Sequence, residues 1–502
     1  MIPAWILTAV VVLLSCIAAI WIGSTLSELD WYFAGEVICL VVACVLCMSS
    51  NNFPLLFALG CWTPFAPPIP GFSNFPASAV VAGWMSIVLF FRLAMKGSIP
   101  YRKSFSWFLL LIFAWVPIRF LMNPIHKLGA SAGGSGVSGA MPYFLYVLSG
   151  LFLVFLGACL TDREKVVQYL RWCFIFVLII GIALLICAFN PSTQPFLRSM
   201  GFFAAGDIGD GVQRLVVLPG YGLFLTEVAL CPSLFGLKWW QCLMLFTLGV
   251  AMIIVGGNRG ALASVPVAVV LVLFLRRRTN ALFASLCVMG FVIVGLRATI
   301  AGMADADIPP MMRSLGVFDS KIDEASGGDL SAQWRYQVWD SGIEKIKEAP
   351  LAGKGYGNLP EHLNGEDGMQ SNDYETILAA GLAHNGYISA AYGFGIPFSV
   401  ALSCMLVWLL IKQSVAALRT DKHDPVLRDL HAFLAGMFIT YPILIYVAFD
   451  LSSQAVWIYA GISYILSNSP KSESLSISQA GGPLRKYGDE TRTAGIYSSR
   501  PY

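Results

Sequence analysis

Uncharged, apolar stretches close to twenty residues long recur from one end of this 502-residue chain to the other. That is the length an α-helix needs to cross the hydrocarbon of a bilayer. Hydrophobic residues make up 57% of the chain and charged residues 12%, roughly half the charge of a soluble domain. So many apolar side chains exceed what one water-facing core can hold. The expected fold is an all-α, polytopic membrane protein.

Candidate spans fall at 5–23, 33–49, 53–67, 77–95, 105–122, 143–160, 171–189, 217–237, 239–256, 261–275, 280–297, 387–417, 431–449 and 453–468. The third is short and proline-rich (TPFAPPIP), so a full span and a re-entrant segment both remain open there, and the count is about 12–14. The first apolar run has no Lys or Arg before it, and is read as a retained span rather than a cleaved signal. The twelve cysteines, at 16, 39, 44, 47, 61, 159, 173, 187, 231, 242, 287 and 404, lie in or beside apolar runs and read as small buried hydrophobes. Cys44 and Cys47 have CxxC spacing, but with no second pair and no neighbouring His they do not suggest zinc. The net charge of +3 says little about partners, and no basic run with interleaved aromatics suggests nucleic acid.

Basic residues orient the spans. Lys96, Arg102 and Lys103, then Arg163, Lys165 and Arg171, then Arg276, Arg277 and Arg278, then Lys412, Arg419, Lys422 and Arg428 fall on one side if the spans alternate. The positive-inside rule makes that side cytoplasmic, with both termini. The other side carries the acidic turn at 27–30, a Gly/Ser stretch at 129–139, the segment 190–216 and one long loop, 298–386. A loop of that length is expected to be functional. The chain thus divides into N-terminal transmembrane helices (1–200), a transmembrane region that includes the long loop (201–468), and a Ser/Gly-rich cytoplasmic tail (469–502) read as disordered.

Arg259 stands out in "IIVGGNRGALASVPV", a guanidinium between two apolar runs with no acid beside it. At bilayer depth such a charge costs about 2.5–3.5 kcal/mol. By the same alternation it lies on the outer side, with the long loop. That loop enters irregularly through Asp305, Pro309 and Pro310, then reads "SAQWRYQVWDSGIEKIKEAP" (331–350). Trp334, Val338 and Ile346 recur at helical spacing with Tyr336, Trp339 and Ile343 beside them, and Pro350 stops the run. An amphipathic helix against the membrane is expected, its aromatic face inward, with Arg335 near its start. Gly353, Gly355 and Gly357 follow; they read as a glycine turn, with close approach to a ligand as the functional alternative, since no strand precedes them. Glu366, Asp367, Asp373 and Glu375 read as a solvated acidic loop rather than a cation site. Of five histidines, His126 and His362 lie in loops and His423 and His431 on the cytoplasmic side, whereas His384, with Asn385, stands at the outer mouth of the 387–417 span. Glu227, inside "GLFLTEVALC", is an intramembrane acid, read first as an internal partner for a basic side chain. Tyr387 and Tyr392 are candidates to line a sugar site, or to anchor at the interface.

Together G-N-R-G-A opening an apolar helix, W-R-Y-Q-V-W in an outer loop, A-P-L-A-G-K-G-Y-G-N, and A-H-N-G-Y-I-S-A-A-Y-G-F-G-I-P entering a span resemble the O-antigen ligase / Wzy-type polymerase superfamily of bacterial membrane glycosyltransferases. The resemblance covers about 200–420 of the chain; the first 190 residues match only as generic spans. It implies an all-helical enzyme of the bacterial inner membrane that takes a glycan from undecaprenyl pyrophosphate on the periplasmic face and passes it to a hydroxyl acceptor. It implies no nucleotide sugar, no ATP and no metal, and it allows other polysaccharide-assembly proteins as partners. Carried over by motif, Arg259, Arg335 and His384 are the catalytic candidates. Arg214 matches another basic position more loosely, because "GDGVQRLVVLPGYG" departs from the usual pattern. Asn385, Tyr387, Gly257 and Gly260 are candidates to contact substrate.

The chemistry of those residue types fits that expectation. A departing lipid pyrophosphate carries about two negative charges, which two guanidiniums can bind bidentately. Gly256, Gly257 and Gly260 let the backbone approach, and a helix start adds free N–H groups. A histidine can take the acceptor's proton near neutral pH. A single displacement inverts the anomeric carbon; retention would need a carboxylate pair about 5 Å apart, and no such pair is evident. Three acceptors remain open: a growing O-antigen or exopolysaccharide, lipid A–core, or a protein. The rival of a different class is a lipid-linked-glycan flippase or other transporter, for which internal repeats would be expected; none is evident.

Overall fold

The computed structural model describes residues 54–55, 58, 102–122, 141–193, 204–207, 213–215, 217–301, 315, 328–356, 374–379, 381, 383–447 and 454–468. The candidate spans 5–23, 33–49 and 77–95, nearly all of 53–67, and the tail from 469 lie outside the described residues. So do five of the cysteines (16, 39, 44, 47 and 61), His126, His362, Asp305, Pro309, Pro310, Gly357, Glu366, Asp367 and Asp373.

The described chain is a bundle of helices. In order they are α1 (Trp107–Met122), α2 (Met141–Cys159) and α3 (Arg163–Ala188); a hairpin of β1 (Ala204–Asp207) and β2 (Gln213–Leu215); then α4 (Leu218–Leu230), α5 (Pro232–Phe235), α6 (Trp239–Val255), α7 (Arg259–Leu275) and α8 (Thr279–Ala301); then α9 (Gly328–Glu348), α10 (Tyr374–Ala379), α11 (Gly386–Phe394), α12 (Ile396–Arg419), α13 (Pro425–Val447) and α14 (Gln454–Ser467). Among the described residues three helices are long and apolar enough to cross a membrane, and seven shorter ones are apolar. Helices suit that setting because they satisfy their own backbone groups without water. The all-α expectation stands, with one small addition: the 190–216 segment contains an antiparallel hairpin pairing Ala204 with Leu215 and Asp207 with Gln213.

The surface is inverted relative to a soluble protein. Trp107, Leu111, Ile179, Trp239, Leu243, Phe283 and Phe291 are each more than 60% exposed. A continuous apolar exterior of this kind marks contact with a non-aqueous phase.

Several boundaries depart from the spans expected from hydropathy, among them the start of α13, at Pro425 and not 431. The 171–189 span starts eight residues earlier, because Asp162 caps α3 by accepting from the Lys165 N–H at 2.9 Å. The 217–237 span ends at Leu230, where Pro232 opens a separate short helix. The expected single span 387–417 is two helices, broken at Gly395, whose φ is 95°.

Among the described residues, Arg102, Arg163, Arg276 and Arg277, all grouped on one side by alternation, meet at one end of the bundle. Arg102 donates to the carbonyls of Thr161 (3.0 Å) and Asn468 (3.1 Å). Arg163 makes two hydrogen bonds to the Asp424 carboxylate, at 2.6 and 2.7 Å. Burial opposes the charge on Asp424, but these bonds and the Leu427 N–H hold its carboxyl below the ordinary range. Arg276 donates to Asp429 and to the Leu230 carbonyl, both at 2.6 Å, and Arg277 to the Leu418 carbonyl at 2.5 Å. Asp429, 2% exposed, also accepts from the Ser233 N–H at 2.8 Å. It therefore ties α13 to α5 and to the end of α7. Removing one partner of such a buried pair strands the other charge, so Asp429→Ala should cost about 3–5 kcal/mol of stability. Asp429→Asn keeps an acceptor for Ser233 and should cost less. Thermal unfolding of the full chain in lipid discs compares them; equal midpoints for Asp429→Ala and wild type would refute the claim.

Small residues set a close helix crossing. A Cβ on Gly249 would sit 2.6 Å from the Gly222 carbonyl oxygen and 2.9 Å from Thr226 Cγ2. Backbones of α4 and α6 thus touch directly, as small-residue interfaces in membranes allow. Further along, a Cβ on Gly256 would lie 2.5 Å from the Pro219 ring. This contact fixes the turn before α7 against the start of α4, directly after the strand that carries Arg214.

Candidate functional site

The end of the bundle opposite the basic cluster is organised around the C-terminal end of α13. Because Arg276 at the end of α7 meets Asp429 near the start of α13, and the two helices pack along their length, they run antiparallel. With 17 residues, α7 spans about 25 Å, which carries Arg259 to the far end of α13. At that end Tyr387, in the first turn of α11, donates its hydroxyl to the Pro442 carbonyl at 3.3 Å. Trp339 of α9 packs on Tyr446, ring centroids 5.4 Å apart. The structure therefore gathers the start of α7, the middle of α9 and the start of α11 at one end of one helix.

Arg259 is the first residue of α7 and is partly buried. Gly257 supplies the left-handed conformation the turn needs, at φ 67°. Asn258 then caps the helix, its side chain accepting from the Ala261 N–H at 2.9 Å. Gly260 is buried inside the first turn. The other first-turn N–H groups lie beside Arg259, and a helix start favours anions.

Arg335 lies on the inward stripe of α9, one turn before Val338, which is fully buried. Gly342 and Ile346 continue that stripe, and a Cβ on Gly342 would fall 2.9 Å from Ile388. The amphipathic helix expected at 331–350 is thus present and docked on α11. Its polarity is narrower than expected: Tyr336 is 60% and Ile343 45% exposed, both pointing away from the stripe.

His384 occupies a tight, fully tethered turn. Gly381 has φ 75° and His384 itself φ 50°. Left-handed backbone costs a non-glycine residue about 1–2 kcal/mol, and outliers of this kind collect at functional sites. The Gly381 carbonyl accepts from Ser389 Oγ at 3.3 Å and the Ala383 carbonyl from Trp339 Nε1 at 2.9 Å. Asn385 Oδ1 accepts from the Tyr387 and Ile388 N–H groups, at 3.1 and 3.2 Å. The imidazole remains exposed, with the Trp334 ring edge-on at 5.5 Å.

Several candidates also make contacts within the protein. Asn385 is 4% exposed, and its oxygen is committed to capping α11. Tyr392 is buried beside Tyr356 and does not line an open site. Gly353 of "LAGKGYG" is packed closely against protein: a Cβ on it (φ 73°) would lie 2.6 Å from Tyr392 O and from the Phe394 and Gly395 nitrogens. Glu227 pairs with no basic side chain among the described residues. Its Oε1 accepts from Thr440 at 3.4 Å, and its carboxyl lies against Gly436 of α13. Arg214 lies in β2; Glu375 lies in α10.

One residue passed over in the sequence belongs to this end. Arg119, on α1, is 5% exposed. It donates to the carbonyls of Ala352 at 2.7 Å and Gly353 at 2.6 Å, and so holds the glycine loop from the other side. Its signal was the one that drew attention to Arg259, a lone guanidinium in an apolar run.

No curated protein matches the chain. Residues 243–414, from early α6 to late α12, match a family described as O-antigen ligase. The matched stretch contains Arg259, Arg335 and His384 and omits Arg119, Arg214 and α13. The family match supports a membrane-embedded, ligase- or polymerase-type glycosyl transfer, and the similarity to the O-antigen ligase family is carried by residues 243–414, about a third of the chain.

Proposed function

We propose that the protein is an inverting, metal-independent glycosyltransferase of the bacterial inner membrane, acting on the periplasmic face with both termini cytoplasmic. The donor is a glycan on undecaprenyl pyrophosphate, and the acceptor is a hydroxyl of a growing O-antigen or exopolysaccharide, or of lipid A–core. The observation that carries this reading is the convergence of a helix start bearing Arg259, a helix bearing Arg335 and a turn displaying His384, all within one O-antigen ligase-type stretch.

The roles follow from charge. The pyrophosphate leaves as an anion at the edge of the hydrocarbon, where Arg259, the α7 N–H groups and Arg335 stabilise it as charge develops. Arg214, on the strand leading to Pro219 and the Gly256 contact, is assigned to the same head group. His384 removes the acceptor proton during attack on the anomeric carbon. The basic residues at the opposite end match a cytoplasmic face under the positive-inside rule.

Deleting the gene and running surface polysaccharide on a gel tests the reading. Single-repeat products would identify a polymerase. Polymer retained on the undecaprenyl carrier would identify a ligase. Unchanged glycans with an unglycosylated secreted protein would move the acceptor to protein, and unchanged glycans with no glycosylation defect would sink the proposal. His384→Asn, which tolerates left-handed backbone but cannot act as a base, should reproduce the deletion phenotype at normal protein levels.

A further inference from the structure

We propose that Trp334 and Trp339, on the helix that also carries Arg335, are positioning residues that set the His384 imidazole for proton removal. This rests on the assignment of His384 as the base.

Three observations converge. First, the turn 381–385 is tied at both ends by groups of its own neighbourhood, Ser389 Oγ on Gly381 and the Asn385 cap on α11. The link at the residue immediately before the histidine comes from elsewhere: Trp339 Nε1 to the Ala383 carbonyl, 2.9 Å, across 44 residues of sequence. Second, the histidine holds φ 50°, a conformation that persists only where its surroundings impose it. The Ala383 carbonyl belongs to the peptide whose nitrogen is His384's, so a bond to that oxygen acts directly on the orientation of the plane that defines this φ. Third, Trp334 stands edge-on to the imidazole at 5.5 Å and 65°, restricting its rotation about the side-chain bonds. Trp334 and Trp339 are five residues apart on α9 and bracket the turn, one on the ring and one on the backbone. Trp339 is itself wedged between Tyr336 and Tyr446, at 5.5 and 5.4 Å. Its indole N–H therefore has a fixed origin on α9 and α13.

The arrangement has a consequence for the reaction. One rigid helix carries Arg335, assigned to the leaving group, and the two tryptophans that aim the base. Distance between proton acceptor and anionic head group is then fixed by α9. Misplacement of a reacting group by about 1 Å can cost about 100-fold in rate.

The test uses the full-length protein in lipid discs, with lipid-linked glycan and acceptor both extracted from cells lacking the gene. Trp339→Phe keeps an aromatic ring but removes the pyrrole N–H that bonds Ala383; kcat should fall by about tenfold or more, with donor KM changed by less than about twofold, as expected for lost alignment rather than lost binding. Trp334→Leu should lower kcat similarly and move the acidic limb of the kcat–pH profile, which reports the base in the bound complex; Trp334→Phe, which keeps an aromatic edge, should recover most of both. A fall in kcat matched by an equal rise in KM would mean that α9 had undocked, and would overturn the proposal. If His384→Ala is inactive while Trp339→Phe and Trp334→Leu turn over normally with unchanged profiles, the positioning role fails and the base assignment stands. If His384→Ala turns over normally, the base assignment fails and takes the proposal with it. Should the tryptophan variants not fold, wild type labelled with ¹³C-histidine decides the matter: the His384 ring signal, identified by its loss in His384→Ala, must be displaced from the free-imidazole position by the ring current of Trp334, and the absence of that displacement would overturn the proposal.

Discussion

Arg259→Ala is expected to reduce glycan transfer by about 10²–10³-fold or more while leaving the protein inserted and folded. The two halves of that expectation have separate causes. Folding should survive because the start of α7 is capped by the Asn258 side chain and its preceding turn is fixed by Gly257 and by the Gly256–Pro219 contact; none of these uses the guanidinium. Transfer should fail because a dianionic leaving group at the membrane boundary has few sources of compensation, and a guanidinium supplies both charge and a two-pronged donor. Arg259→Lys keeps the charge and loses the prongs, so it should retain an intermediate rate. Arg276→Ala is the useful contrast. It removes an arginine from the other end, where the side chain is bonded to Asp429 and Leu230, and should damage stability instead. Normal turnover by Arg259→Ala in a lipid-linked glycan assay would remove the mechanism.

The parts of this molecule that were legible in its sequence are those set by short-range pattern. Apolar length located α1, α2, α6, α7, α8 and α14 to within a few residues, because a helix in hydrocarbon satisfies its backbone locally and ends where polarity returns. The periodicity of 331–350 located α9, and the sign of the loops grouped Arg102, Arg163, Arg276 and Arg277. What the pattern could not express is contact between distant segments. Gly353 and Gly355 invite the idea of a ligand only until Tyr392, some forty positions later, is found against them. The 387–417 run carries no charge before Lys412, so hydropathy gives no sign of the break at Gly395; the sign lies in Gly-Ile-Pro, whose proline stands near the start of α12, where a missing N–H is harmless. Glu227, which by sequence reads as a partner for a basic side chain, instead meets Thr440 and Gly436. Asn385, beside the histidine in sequence, is turned inward to cap α11, whereas Trp339, 45 positions before His384, touches the turn that holds it.

Gly395→Ala should be the most damaging single-methyl change among the described glycines, and the reason lies in how the break between α11 and α12 is closed. Gly395 has φ 95° and ψ 161°, a region open essentially to glycine alone. A Cβ there would meet the Leu351 carbonyl and lie 3.0 Å from the Ala352 nitrogen. The loop it would strike is the one that repairs the break: the Pro350 carbonyl accepts from the Ile396 N–H at 2.8 Å, and the Tyr392 carbonyl accepts from the Lys354 N–H at 2.7 Å. On the far side Arg119 donates to Ala352 and Gly353, so the loop has no room to retreat. Strain and collision together should cost about 3 kcal/mol or more, and displacement of the loop should carry α11 and its His384 turn with it. Transfer and thermal stability are therefore expected to fall together, unlike Arg259→Ala, where only transfer falls. Gly290→Ala on α8 is the matched control, since a Cβ there meets nothing within 4 Å and helix propensity favours alanine by about 1 kcal/mol. A Gly395→Ala protein with wild-type melting temperature and wild-type transfer would show that the loop does not brace the break, and that His384 is held by α9 alone.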